Sequence, residues 1–299
     1  MDAKTGLVVA LGVFTAFYVV VFAIGLREAA REQPGVLTPT LSGLVVGFFT
    51  NFFDTLGIGS YAPTTSAFRF WRMVRDEQIP GTLNVGHTLP TIVEAFIFIT
   101  AIIVDPKTLI ALIAAAVIGA WLGAGVVARM SRRAIQIGMG IALMVGAALF
   151  ALKNVDAVRA VPVFPGGDAI GLSGTLLIVG IAGAIILGAL MTLGIGFYAP
   201  CMIMVALLGM NAKTAFPIMM GACAFLMPVA SARFVRLKKF DVKAAVGLCI
   251  GGIPAVLLAA LFVKALPLVY VRWGVVGVVL YAGVGLLRTA ARERAAAGS

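Results

Sequence analysis

Charge is scarce in this chain. Of its 299 residues, 23 are Lys or Arg, 12 are Asp or Glu and one is His, so 12% are charged. A soluble domain carries roughly a quarter charged residues. One histidine, and three cysteines (Cys201, Cys223, Cys249) with no CxxC spacing, leave no metal-ligand pattern and no redox motif. The cysteines lie inside apolar segments and read as small packing residues. The net charge is +11, yet there is no basic tail, aromatic-basic platform or zinc spacing to read nucleic acid. The chain also lacks any polar stretch long enough to fold as a separate soluble domain.

What the chain has instead is apolar length. Sixty-two per cent of residues are hydrophobic, gathered near 5–26, 82–104, 108–128, 134–152, 214–232, 244–263 and 268–287. Each is close to the roughly 17–25 residues a helix needs to cross about 30 Å of hydrocarbon. The first, Gly6 to Leu26, exceeds a signal-peptide core of about 7–15 residues and follows a single lysine, so it reads as a retained helix. The basic residues sit in short loops beside apolar segments, as in cytoplasmic membrane loops. These features imply an all-α integral membrane protein, multi-pass, in the cell inner (plasma) membrane, with the lipid bilayer as its first partner. No nucleic acid and no cofactor is implied, and a homodimer is possible.

The chain repeats itself in one constant frame, the offset that carries Thr55 onto Thr192. Thr55-Leu56-Gly57-Ile58-Gly59-Ser60-Tyr61-Ala62-Pro63 aligns with Thr192-Leu193-Gly194-Ile195-Gly196-Phe197-Tyr198-Ala199-Pro200, identical at eight of nine positions. Without a gap, Pro80 falls on Pro217 and Gly43 on Gly180. Duplication explains rare residue types recurring in one frame. The expected organisation is an N-terminal transmembrane helix (1–35), repeat one (36–153), a polar turn-rich linker (154–172) containing Pro162, Pro165, Gly166, Gly167 and Asp168, and repeat two (173–290).

Gly57, Gly59 and Pro63, and likewise Gly194, Gly196 and Pro200, interrupt apolar segments. Proline fits the first turn of a helix, and the preceding glycines permit a turn that other residues resist. Each motif therefore reads as helix, break, helix. Non-helical backbone at membrane depth is tolerated where it is buried or lines a cavity. Paired breaks in two halves point to a transporter's binding site.

Charge arbitrates whether these segments cross. If both re-enter and the N-terminus is outside, Lys and Arg divide 16 to 7 in favour of the cytoplasm; if both cross, 13 to 10; if only the first crosses, 15 to 8. The first arrangement has the strongest bias and keeps the repeats alike. It predicts two inverted repeats, each one re-entrant broken helix plus three transmembrane helices.

Ionisable groups within a bilayer are costly and usually functional. Asp54 precedes the first break. Asn84, His87, Thr91 and Glu94 form one helical stripe, absent from repeat two, where the equivalents are Gly221, Ala224, Pro228 and Ser231. Candidate substrate contacts are Gly57, Gly59, Ser60, Tyr61, Pro63, Gly194, Gly196, Phe197, Tyr198 and Pro200. Candidate proton-coupling or cavity residues are Asn51, Asp54, His87, Thr91 and Glu94, with His87 and Thr91 as a relay. Gly119/Gly123 and Gly247/Gly251 have GxxxG spacing and are expected to serve helix packing.

Gly43 to Gly47, then Leu56-Gly57-Ile58-Gly59, resemble the glycine-rich signature of the sulfite exporter TauE/SafE family of membrane permeases. So do Leu193-Gly194-Ile195-Gly196 and Leu208 to Ala215, and the stretch from Ile118 to Ala124 through Arg129 and Arg132 is similar to that family's packing helix and basic loop. The resemblance covers most of residues 40–290. It departs at the tips, where two further glycines usually follow and this chain has Ser60-Tyr61-Ala62-Pro63 and Phe197-Tyr198-Ala199-Pro200. It implies secondary transport, often export, of sulfite, sulfonate or related organic anions. The expected partner is thus a small anionic substrate, held by half-helix N-termini near Pro63 and Pro200. An anion channel and, through a Ser60–His87 dyad, an intramembrane hydrolase are the alternatives.

Overall fold

The computed structural model describes residues 3–156, 167–194, 196–262 and 268–297. Pro162, Pro165 and Gly166 of the expected linker, Arg159, Lys264 and Ile195 lie outside these.

Eleven α-helices are described: α1 (Ala3–Glu32), α2 (Leu41–Thr55), α3 (Tyr61–Phe70), α4 (Ile79–Ala101), α5 (Pro106–Val127), α6 (Arg132–Asp156), α7 (Gly174–Met191), α8 (Tyr198–Leu207), α9 (Ala215–Arg236), α10 (Val242–Phe262) and α11 (Leu268–Ala297). Seven described helices are long and apolar enough to cross a membrane: α1, α4, α5, α6, α7, α9 and α10. Six coincide with expected crossings. The seventh, α7, falls where an arm of the second broken helix is expected, because its 18 residues carry no charge at all. The expected C-terminal crossing lies within α11. α6 runs on through Asp156, so the first residues assigned to the linker are helical.

Local chemistry sets the helix ends. Thr40 caps α2, its hydroxyl accepting from Gly43 N at 3.1 Å. Asp105 caps α5, accepting from Thr108 N at 2.8 Å and Thr108 Oγ1 at 2.7 Å; these bonds hold its carboxyl below the usual carboxylate range. Asp241 caps α10, accepting from Ala244 N at 2.9 Å. Both broken segments follow one hydrogen-bond pattern. Gly57 N donates to Asp54 O and Gly194 N to Met191 O; Thr64 N donates to Ser60 O and Cys201 N to Phe197 O. At the far ends, Met73 N reaches Phe68 O at 2.9 Å and Met210 N reaches Val205 O at 3.1 Å. These bonds close Schellman turns over Arg72 (φ 52°) and Gly209 (φ 74°). Every one of these pairs keeps the frame that carries Thr55 onto Thr192.

Packing partners exchange in the same frame. α2 packs on α10 as α7 packs on α5; α4 packs on α10 as α9 packs on α5; α3 meets α11 as α8 meets α6. α4 and α9 pack on each other at the centre and are the most buried spans. Glycine makes the close approaches possible: Gly119 and Gly123 of α5 face Ile185 and Ala189 of α7, while Gly247 and Gly251 of α10 face Gly43 and Leu44 of α2. The GxxxG pairs thus act in helix packing.

The two broken segments end at opposite ends of the bundle. α2 begins at Thr40 and Gly43, against Gly247 in the second turn of α10. The C-terminal end of α3 is tied nearby: Arg69 donates to Asp76 at 2.6 Å and to Thr289 Oγ1 at 3.1 Å, and Gln136 Nε2 donates to Asp76 at 2.8 Å. At the other end, Leu172 N donates to Thr108 Oγ1 just before α7, and Asp105 N to Ile170 O. There the turn after α8 joins residues 167–169, through Gly167 N to Met210 O and Asn211 N to Ala169 O.

Candidate functional site

The two breaks meet at the bundle centre. Gly57 (φ 82°), Gly59 (φ 89°) and Gly194 (φ 104°) adopt backbone that L side chains resist. This lets α2 end at Thr55 and α3 start at Tyr61; α7 and α8 are related likewise. Neither α3 nor α8 has a side-chain cap at its N-terminus. Pro63 and Pro200 sit in the first turn of each, as the sequence indicates.

Glu94 of α4 joins both breaks. Its Oε1 accepts from Thr55 Oγ1 at 2.8 Å, at the end of α2, and its Oε2 accepts from Tyr198 Oη at 2.9 Å, at the start of α8. The carboxyl is fully buried. Asp54, also buried, accepts from Ser60 Oγ at 2.9 Å across the first break. Between the tips lies a cavity of about 10 Å³, room for about one water. Asp54, Gly59, Ser60, Tyr61 and Thr91 line it from the first half, and Gly196, Phe197 and Tyr198 from the second, with Met191 and Cys223 closing it. Tyr61 Oη has no hydrogen-bond partner among the described residues.

His87 and Asn51 form a second cluster. His87 Nδ1 is 2.9 Å from Asn51 Oδ1, and Nε2 is 3.0 Å from Thr64 Oγ1. The Tyr61 ring lies beside the imidazole, with centroids 5.8 Å apart. Asn51 Nδ2 also donates to Gly47 O at 2.7 Å.

The expected residues therefore separate. Eight of them line the central cavity. Glu94 bonds across it, while His87 and Asn51 form the adjoining cluster. Gly57 and Gly194 shape the breaks from behind, against Phe216 and Met139. Glu94 is hydrogen-bonded to Thr55 and Tyr198 and not to the His87–Thr91 stripe, because its side chain turns toward the breaks. Ser60 is bonded to Asp54, and His87 to Asn51 and Thr64, so the serine–histidine pair that a hydrolase needs is not formed. Sequence reasoning missed Thr55, Thr64, Met191 and Cys223. Only Thr55 had a signal, since Thr192 repeats it.

No lysine or arginine is buried among the described residues, while Asp54 and Glu94 both are. The polar surface at the tips comes from backbone N–H groups, hydroxyls and two carboxyl groups. The family model described as Sulfite exporter TauE/SafE matches residues 2–150, which include the first break and the segments carrying Asp54, His87 and Glu94. No curated protein and no solved structure matches the chain.

Proposed function

Because the chain belongs to the sulfite exporter TauE/SafE family, we propose that it is a secondary transporter of a small anion such as sulfite or an organosulfonate, proton-coupled through Glu94. The observation that carries this reading is the bridge from Glu94 to Thr55 and Tyr198, one carboxyl spanning both broken helices.

The uncapped N-termini of α3 and α8 present N–H groups and partial positive charge to the tips. Those groups suit an anion. Two ionised carboxylates beside it would repel it strongly at low dielectric, and no buried cation among the described residues offsets them. Anion binding therefore favours protonated carboxyls, which couples substrate to protons. Losing the proton from Glu94 strengthens its bonds to Thr55 and Tyr198. That draws the tips together, consistent with a cavity the size of one water.

Residues 36–153 and 173–290 act in this reading as two inverted repeats, each a re-entrant broken helix with three crossings, in the inner membrane. The reciprocal packing, and the ties of α2–α3 to one end of the bundle and α7–α8 to the other, support it. Alternating access then opens the tips first to one end and then to the other.

The test is counterflow in proteoliposomes, with radiolabelled sulfite outside and unlabelled sulfite, taurine or acetate inside. Sulfite or the sulfonate should drive saturable accumulation. Flux that never saturates and shows no counterflow would indicate a channel instead.

A further inference from the structure

A cleft of about 560 Å³ opens at the surface where α5 and α9 end, on the basic end of the bundle. Trp121, Leu122, Gly125 and Val126 of α5 form its wall, and Arg129 and Arg233 stand at its head. The half-buried Arg233 guanidinium lies over the Trp121 ring, 5.0 Å from its centroid. Gly125 makes this seat, since a Cβ there would collide with an Arg233 guanidinium nitrogen.

The charge here is unbalanced. At the neighbouring cavity of about 710 Å³, Arg69, Arg75 and Arg132 pair with Asp76 and Glu77. Among the described residues, neither Arg129 nor Arg233 has a carboxylate within ion-pair distance. Below the two arginines, Ile118, Trp121, Leu122 and Val126 are each more than half exposed, a continuous apolar strip along α5. The surface is cationic at the helix ends and apolar toward the middle of the span.

We propose that this cleft binds one anionic phospholipid, its phosphate between Arg129 and Arg233 and an acyl chain along the exposed face of α5. Guanidinium suits phosphate because it donates in a planar fork. Basic pockets between transmembrane helices on the cytoplasmic side are suited to acidic headgroups. Trp121 lies within the last two turns of α5, and indole side chains favour the interface at such helix ends. The occupant has to satisfy both halves of the cleft, and a soluble anion reaches only the upper one.

Native mass spectrometry and thermal unfolding of delipidated protein in mild detergent test this. The probes are dioleoylphosphatidylglycerol, dioleoylphosphatidylcholine with the same chains, and inorganic phosphate. Phosphatidylglycerol should bind saturably at one tight site and raise Tm, with phosphatidylcholine and phosphate giving neither effect. Arg129→Gln, an exposed change that leaves packing intact, should weaken phosphatidylglycerol binding roughly tenfold, the loss of one charge-assisted contact. Gly125→Ala should weaken it through displacement of Arg233. Unchanged affinity in both variants overturns the proposal. So does equal stabilisation by phosphatidylcholine, or by inorganic phosphate, which would make this a soluble-anion site. A switch from dimer to monomer in Arg129→Gln without loss of lipid would overturn it too, and assign the surface to a second copy of the chain.

Discussion

At the scale of single residues, the two motif tyrosines occupy equivalent sequence positions and unequal environments. Tyr198 donates to Glu94 at 2.9 Å, whereas Tyr61 Oη has no partner among the described residues. Tyr198→Phe should cost about 1–3 kcal/mol, because it leaves a buried carboxyl oxygen unsatisfied. Tyr61→Phe should be close to neutral. Thermal unfolding in one detergent compares them, and equal losses would remove Tyr198 from the carboxyl's support. Asp54 and Glu94 were legible in the sequence because a charge inside an apolar segment has few explanations. Thr55 and Thr64 were not. Threonine bonding its own helix backbone is common, and the partners here lie far along the chain, at Glu94 and His87. The Ser60–His87 dyad failed for a related reason. Residue type alone suggests that pair, and only the fold shows Ser60 turned to Asp54.

At the scale of elements, the breaks depend on backbone that only glycine adopts cheaply. Gly57→Ala and Gly194→Ala should each lower stability by about 1–2 kcal/mol from the left-handed conformation alone. The crowding by Phe216 and Met139 adds to that. Gly12→Ala, in the interior of α1 where a Cβ meets nothing within 4 Å, is the control and should lose no stability, gaining up to about 1 kcal/mol. Arg72 poses the opposite case. It holds φ 52° where the matching turn after α8 has Gly209. Arg72→Gly should therefore stabilise the chain by about 1 kcal/mol; a loss would mean that the side chain supports the Asp76 cluster more than the backbone resists it. Helix, break and helix were legible because Gly and Pro punctuate so strongly. The length of α7 was not, since an uncharged arm looks the same to hydropathy whether it crosses or turns back.

At the scale of the whole molecule, the proposed arrangement has re-entrant segments entering from opposite faces, as charge bias favours. Cysteines placed at Arg72 and Arg236 should both resist an impermeant reagent applied outside intact cells, and one at Lys213 should react. Opposite labelling at 72 and 236 would exclude that topology. The duplication was legible in the paired motifs at Thr55 and Thr192, and the same frame recurs in backbone hydrogen bonds. The joining of both halves through one carboxyl was not, because repeat two has no counterpart to Glu94. Proteoliposomes test the coupling role of that carboxyl directly by comparing wild type with Glu94→Gln under an imposed pH gradient and in counterflow without one. The predicted result is that Glu94→Gln retains anion counterflow and loses accumulation driven by the proton gradient. If Glu94→Gln concentrates the anion against its gradient as well as wild type does, the carboxyl is structural and the coupling mechanism is wrong.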